Sequence, residues 1–169
     1  EWSVSPGTLP DGSFSPDAFD AWLKETKETC EKTGHVEVAM SQLGQILIYA
    51  PPDPDGLWIH RAVAEALNAK DAEEMRRGFH TGVFNSRGVV WLDPSGNPED
   101  ELAAQYNAKA DAVEAAGYYR FAVTMRSLAE TYGREAERIR KEHSFEEKTE
   151  ADNEAQSPPG DSLKAAPEE

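Results

Sequence analysis

The sequence predicts a mainly helical α+β fold over residues 14–142, with about five helices, a small two- or three-stranded β element and a C-terminal antiparallel helical hairpin. Three patterns indicate this class. A helix start with several agreeing signals lies at Ser15, apolar residues alternate as in a strand after His35, and two stripes of apolar residues at helical spacing meet at Gly117.

The N-terminal segment, residues 1–13, is predicted to be an irregular arm or linker, because prolines and glycines interrupt it and no apolar period is present. A helix follows directly. Ser15 is a favourable N-cap, Pro16 suits the first helical position, and Asp17 places an acid in the first turn. Glycine is typical of the position that ends a helix, so this first helix is predicted to stop at Gly34.

Residues 35–50 are predicted to contain the β element. Val36, Val38 and Met40 alternate along the chain, as apolar residues do in a strand with one buried face. The chain can then turn into a second strand over residues 46–50. A third short strand is predicted further along the chain at residues 89–92, where four apolar residues follow a turn signal.

Two further helices are predicted between these strands. A proline-rich loop precedes a helix over residues 57–68, in which apolar residues recur every fourth position along one face. The next helix is predicted to begin at Asp71, because Asp71 and Glu74 have the spacing of a capping box. We expect Gly78 and Gly82 to weaken this helix, since glycine is a poor helix former.

The C-terminal hairpin is predicted from two apolar stripes, one over residues 98–116 and one that runs from Phe121 to Ile139. Gly117 separates them, and two helices joined by a short glycine turn are typical of an antiparallel hairpin. From residue 143 to residue 169 the composition changes to Glu, Ser, Pro, Lys and Ala, which predicts a disordered acidic tail.

The overall charge narrows the class of partner. The chain has 17 Lys and Arg against 32 Asp and Glu, a formal net charge of −15. Such an excess of acids argues against general nucleic-acid binding and against anionic membrane surfaces. No apolar run approaches the length of a membrane span, and the single cysteine, Cys30, fits a reducing compartment. We therefore expect a soluble, cytoplasmic protein; because the chain begins at Glu1, we expect it to belong to a larger one.

Strong catalytic signatures are absent from the sequence. There is no glycine-lysine phosphate loop, no GxSxG elbow, no HExxH pair and no paired CxxC. The four histidines are far apart and do not have the spacing of metal ligands. We therefore expect no cofactor and no metal, and the sequence argues against an enzyme.

One segment differs from the acidic background. Residues 75–92 contain three arginines and a histidine but no acid, and we define them as the basic segment. Glycines within it would let backbone amides and guanidinium groups approach a phosphate or a carboxylate. Its candidate residues for binding an anion or a partner are Arg76, Arg77, His80, Asn85, Arg87 and Trp91. Alternatively, the arginines pair with acids such as Glu73 and Glu74 and serve the fold.

Together these observations predict a non-catalytic interaction or accessory module of a larger soluble protein. It would bind a protein partner through the helical hairpin or through the basic segment. The alternative is a ligand-binding or catalytic domain for a phosphorylated or nucleotide-like anionic substrate. The alternative requires the four basic side chains to converge on one concave, open surface with few acids around them. The sequence leaves the oligomeric state open.

Overall fold

Helices make up almost all of the regular structure. The computed structural model describes residues 4–88 and 93–156. Within these residues a short 3-10 turn, Leu47–Tyr49, extends the second of six α-helices, and the predicted mainly helical fold is confirmed. The helices are α1 (Pro16–Thr33), α2 (Val36–Ile46), α3 (Arg61–Asn68), α4 (Glu73–Ser86), α5 (Asn97–Ala115) and α6 (Tyr119–Gln156).

The predicted β element is wrong: residues 36–46 form α2, residues 47–49 form the 3-10 turn, and residues 4–88 and 93–156 contain no strand. Val36 and Met40 satisfy both an alternating period and a helical one. Leu43 and Leu47 continue the helical period, and both side chains are buried with Met40. Val38, which a strand would have buried, is 64% exposed. The strand predicted at residues 89–92 lies outside the described residues.

The predicted limits of α1 are confirmed. The Ser15 hydroxyl accepts a hydrogen bond from the Ala18 N–H at 3.2 Å, and Gly34 ends the helix with a φ of +73°. The preceding arm is irregular, but hydrogen bonds tie it to this helix start. The Ser15 N–H donates to the Gly7 carbonyl, and Thr8 forms an isolated antiparallel bridge with Phe14.

The backbones of α2 and α4 are in direct contact, and we call this contact the α2–α4 crossing. A Cβ added at Gly44 would collide with the Met75 carbonyl oxygen, and one added at Gly78 would collide with the Ser41 carbonyl oxygen. A Cβ at Gly82 would lie 2.8 Å from another backbone atom of α2. The glycines that sequence reasoning treated as weak points of α4 therefore allow the two helices to approach closely.

Helices α5 and α6 form an antiparallel hairpin joined through Gly117, which has a φ of +92°. Three contacts show that the helices are antiparallel. From one contact to the next, the residue number of the α5 partner falls while that of the α6 partner rises. The Arg126 guanidinium bonds Glu114, the Tyr106 ring stacks on Tyr132 at 5.5 Å, and the Arg140 guanidinium bonds Asp100 at 2.8 Å.

The core lies where α2 through α6 meet, and α1 contributes the fully buried Phe19. The rings of Phe79 and Phe121 meet edge to face at 5.2 Å, which joins α4 to the hairpin. The other fully buried large side chains include Leu47, Ile59, Leu67, Met75, Met125, Leu128 and Tyr132.

The capping of α4 differs from its prediction, and α6 is longer than the apolar stripe that predicted it. The capping box expected at the start of α4 is wrong, because α4 has Ala72 at its N-cap and no capping side chain. The Asp71 carboxylate bonds the Lys27 ammonium at 3.1 Å instead. Helix α6 continues to Gln156, beyond residue 142 where we expected the folded domain to end.

The third helix begins at Arg61 rather than at residue 57, and the buried Asp53 carboxylate organises the loop before it. Its Oδ1 accepts from the Asp55 N–H at 3.0 Å, and its Oδ2 accepts from the Arg61 N–H at 2.8 Å. Burial acts to raise the pKa of Asp53, but these hydrogen bonds outweigh it and the pKa lies below the ordinary value of 3.8. The ionised carboxylate therefore stabilises the folded state.

Replacement of that carboxylate should make stability depend less on pH. At pH 7 we expect Asp53→Asn to lower the free energy of unfolding by about 1–3 kcal/mol, because one backbone N–H loses its charged acceptor. The difference should shrink as the pH falls from 3.8 through the lower folded-state pKa, where the parent carboxylate becomes protonated. Urea unfolding across this range measures the effect. Asp55→Asn, at a side chain 78% exposed, is the control and should change little; equal effects of the two variants would contradict the assignment.

Candidate functional site

Three of the four basic residues predicted as a site share one groove. Arg76, Arg77 and His80 project from α4 into an open groove of about 360 Å³ between α4 and α6. The remaining lining residues are Glu73 of α4 and Val123, Thr124 and Ser127 of α6. We call it the α4–α6 groove.

Arg76 is held in place by the end of the preceding helix. Its Nη1 donates to the carbonyl oxygens of Leu67 and Ala69, at 2.8 and 2.7 Å, where the backbone leaves the C-terminal end of α3. Burial lowers the pKa of Arg76; Glu73 acts to raise it and Arg120 to lower it. The guanidinium is thus a fixed, partly desolvated cation at one end of the groove.

The other two basic side chains differ in charge and exposure. Arg77, whose side chain is 65% exposed, pairs with Glu74 at 3.0 Å on the same helix. Burial lowers the pKa of His80; a hydrogen bond with the Ser127 backbone raises it, and the charge of Arg134 lowers it. Since its pKa lies below 6.5, His80 is neutral at pH 7 and acts as a hydrogen-bonding group there.

The remaining predicted residues lie elsewhere. Arg87 follows α4, and its Nη2 donates to Oε1 of the buried Glu99 at 2.5 Å. Asn85 is exposed, and its carbonyl oxygen accepts from the Gly88 N–H. Trp91 lies outside the described residues. The described part of the basic segment therefore does not act as one surface: Arg76, Arg77 and His80 face α6, and Arg87 forms an ion pair with Glu99 of α5.

Sequence reasoning missed two cations beside the groove, both on α6. Arg120 is close enough to Arg76, and Arg134 to His80, for each to lower its neighbour's pKa. Arg120, Ser127 and Arg134 are spaced seven residues apart, so they lie on one face of α6. That spacing was a usable signal once α6 was expected to pack with this face beside α4.

The groove presents hydrogen-bond donors and positive charge, with Glu73 and Glu74 as its nearby acids. This arrangement suits the binding of carboxylate or phosphate oxygens. In the described part of the chain, no three His, Cys, Asp or Glu side chains are grouped so that they could hold a metal ion. Over the same residues, no helix combines the length and the apolar character that a bilayer span requires.

Comparison with known proteins gives no relative from which a site could be transferred: no family model, curated protein or solved structure matches this chain. The candidate site is therefore defined by the geometry of α4 and α6.

Proposed function

We propose that this domain is a non-catalytic interaction module and that its α4–α6 groove binds an acidic segment of a protein partner. The observation that supports this function best is the clustering of positive charge around one open groove, in a chain whose formal net charge is −15. Arg76 and Arg77 line the groove, and the charges of Arg120 and Arg134 on α6 reach it, since they lower the pKa values of Arg76 and His80 respectively.

Local charge matters more than net charge at such a surface. At physiological ionic strength the Debye length is about 8 Å, so a carboxylate in the groove interacts mainly with the nearest cations. The acidic remainder of the surface disfavours other binding positions for the same carboxylate. Electrostatic complementarity of this kind sets the orientation and the specificity of a partner.

The groove also has an exposed apolar edge. Val123 lines it, and Tyr119 lies one turn earlier on α6; each is 65% exposed. Protein interfaces combine an apolar centre containing aromatic side chains with a polar rim. A partner segment that alternates acidic and apolar side chains therefore matches both the cations and these two residues.

The alternative of a phosphorylated or nucleotide-like ligand is favoured by the shared position of Arg76, Arg77 and His80. Two observations argue against it. Arg87, the fourth basic residue that this alternative requires, pairs with the buried Glu99 and does not line the groove. A small anion also needs more enclosure than this open groove provides.

A charge-matched pair of variants tests the proposed function. The probe is a fluorescein-labelled amphipathic peptide of Glu and Leu, and binding is measured by fluorescence polarisation. We expect Arg77→Glu to weaken binding about tenfold or more, because it replaces an exposed groove cation with a like charge. Lys24→Glu changes the net charge equally at an exposed position on α1 and should leave the affinity unchanged.

Two outcomes would contradict the proposal: equal affinities of these two variants, or equal binding of the parent to an uncharged Gln and Leu peptide of the same length. Thermal shift with inorganic phosphate and with ATP tests the alternative, which predicts stabilisation of the parent that Arg77→Glu loses. Arg76→Ala is unsuitable for either test, because it also removes the donor to the carbonyl oxygens of Leu67 and Ala69 at the end of α3.

A further inference from the structure

A second pocket, of about 180 Å³, lies on another side of α4, where the helix faces α5 and the 3-10 turn. Its lining is mostly aromatic and aliphatic, and it includes one charged side chain, Lys109 of α5. The other residues that form its wall include Tyr49, Trp58, Phe79, Tyr106 and Met125.

The ammonium group of Lys109 lies between two aromatic rings, 5.0 Å from the centroid of Trp58 and 5.0 Å from that of Tyr106. Both rings are themselves held in place. The indole Nε1 of Trp58 donates to the Lys109 carbonyl oxygen at 3.0 Å, and the Tyr106 ring stacks on Tyr132 with an interplanar angle of 9°. The position of the cation is thus fixed before any ligand arrives.

Lys109 is half-buried, yet among the described residues no carboxylate forms an ion pair with it. Acids outnumber lysines and arginines 32 to 17 in this chain, so the lack of an acidic neighbour at a half-buried cation requires an explanation. Burial lowers the pKa of Lys109, as expected where the rings offset only part of its desolvation. An external anion would supply the missing charge.

We propose that this pocket binds a small monocarboxylate that contains one aromatic ring, with its carboxylate on the Lys109 ammonium and its ring against the aromatic and aliphatic wall. The volume accommodates about one ring, well below the 300–1,000 Å³ typical of sites for larger ligands. The net charge of −15 favours a monoanion over a multiply charged phosphate. The site is separate from the α4–α6 groove and does not depend on the function proposed for it.

Phenylacetate is the probe, and isothermal titration calorimetry measures its affinity for the intact chain. We expect Lys109→Met to weaken phenylacetate binding about tenfold or more, because a charge-assisted hydrogen bond is lost while the length of the side chain is kept. Binding of phenylacetamide, the neutral analogue, should weaken much less in this variant, because only a hydrogen bond to an uncharged oxygen is lost. Lys70→Met removes an exposed lysine outside the pocket and serves as the control.

A second variant blocks the pocket while it keeps the cation. Ser86 lies at the edge of the pocket, and Ser86→Trp should abolish phenylacetate binding without altering Lys109. The proposal is overturned if phenylacetate does not bind the parent at millimolar concentration. It is also overturned if Lys109→Met binds phenylacetate as tightly as the parent, or if Ser86→Trp retains the parent's affinity.

Discussion

Gly78→Ala is expected to lower the free energy of unfolding by about 3 kcal/mol or more, a large fraction of the stability of a small domain. At the α2–α4 crossing, the Cβ of alanine would occupy the space of the Ser41 carbonyl group. Neither partner can yield as the end of a flexible side chain would, because the obstructing atoms belong to the backbone. The helices must separate, and the core contacts that they share are then lost.

The matched control is the same substitution in a helix with open space. No heavy atom lies within 4 Å of a Cβ added at Gly133, which is inside α6. Gly133→Ala should therefore stabilise the protein by about 0.5–1 kcal/mol through helix propensity alone. Urea unfolding followed by circular dichroism measures both changes. If Gly78→Ala changed stability by less than 1 kcal/mol, α2 and α4 could not be in backbone contact.

Arg87→Met is expected to cost about 3–5 kcal/mol, because it leaves the buried Glu99 carboxylate without its cation. Glu99 is 0% exposed, and within the described residues its Oε2 has no hydrogen-bond donor. The Arg87 guanidinium also lies 5.9 Å from the centroid of the Tyr132 ring, so the methionine retains part of the packing and loses the charge.

A second substitution identifies the cause of that loss. The double variant Arg87→Met and Glu99→Met removes both charges and should recover most of the stability, because buried ion pairs are commonly replaceable by apolar residues. Arg138→Met breaks ion pairs on the exposed side of α6 and should have little effect. Chemical unfolding of the parent, the two single variants Arg87→Met and Glu99→Met, and the double variant gives the coupling energy. Equal losses in Arg87→Met and in the double variant would rule out the unpaired charge as the cause.

Local signals predicted local structure well. Ser15 and Gly34 predicted the limits of α1, since a cap involves only neighbouring residues. Val36 and Met40 could not decide between helix and strand, because both positions fit either period. In the structure these residues are helical, and Gly44 of the same helix contacts the backbone of α4. Contacts between segments that are distant in sequence cannot be predicted from an apolar pattern.

The sequence predicted the candidate site only in part. Residues 75–92 were identified by charge, and three of their four basic side chains line the α4–α6 groove. The sequence could not show that Arg87 lies outside the groove that Arg76 and Arg77 line, because its ion-pair partner Glu99 belongs to another helix. For the same reason, the cations of α6 and the enclosure of Lys109 by Trp58 depend on packing between elements.

The α2–α4 crossing affects the rate at which a ligand can associate with the α4–α6 groove. The backbone of α4 packs directly against α2 on one side. The wall of the groove that carries Arg77 therefore cannot move when a ligand binds. Little conformational entropy remains to be lost on that wall, and the encounter requires no prior rearrangement of α4. Association with the groove should then be limited by diffusion and orientation, and affinities should differ among ligands mainly through their dissociation rates.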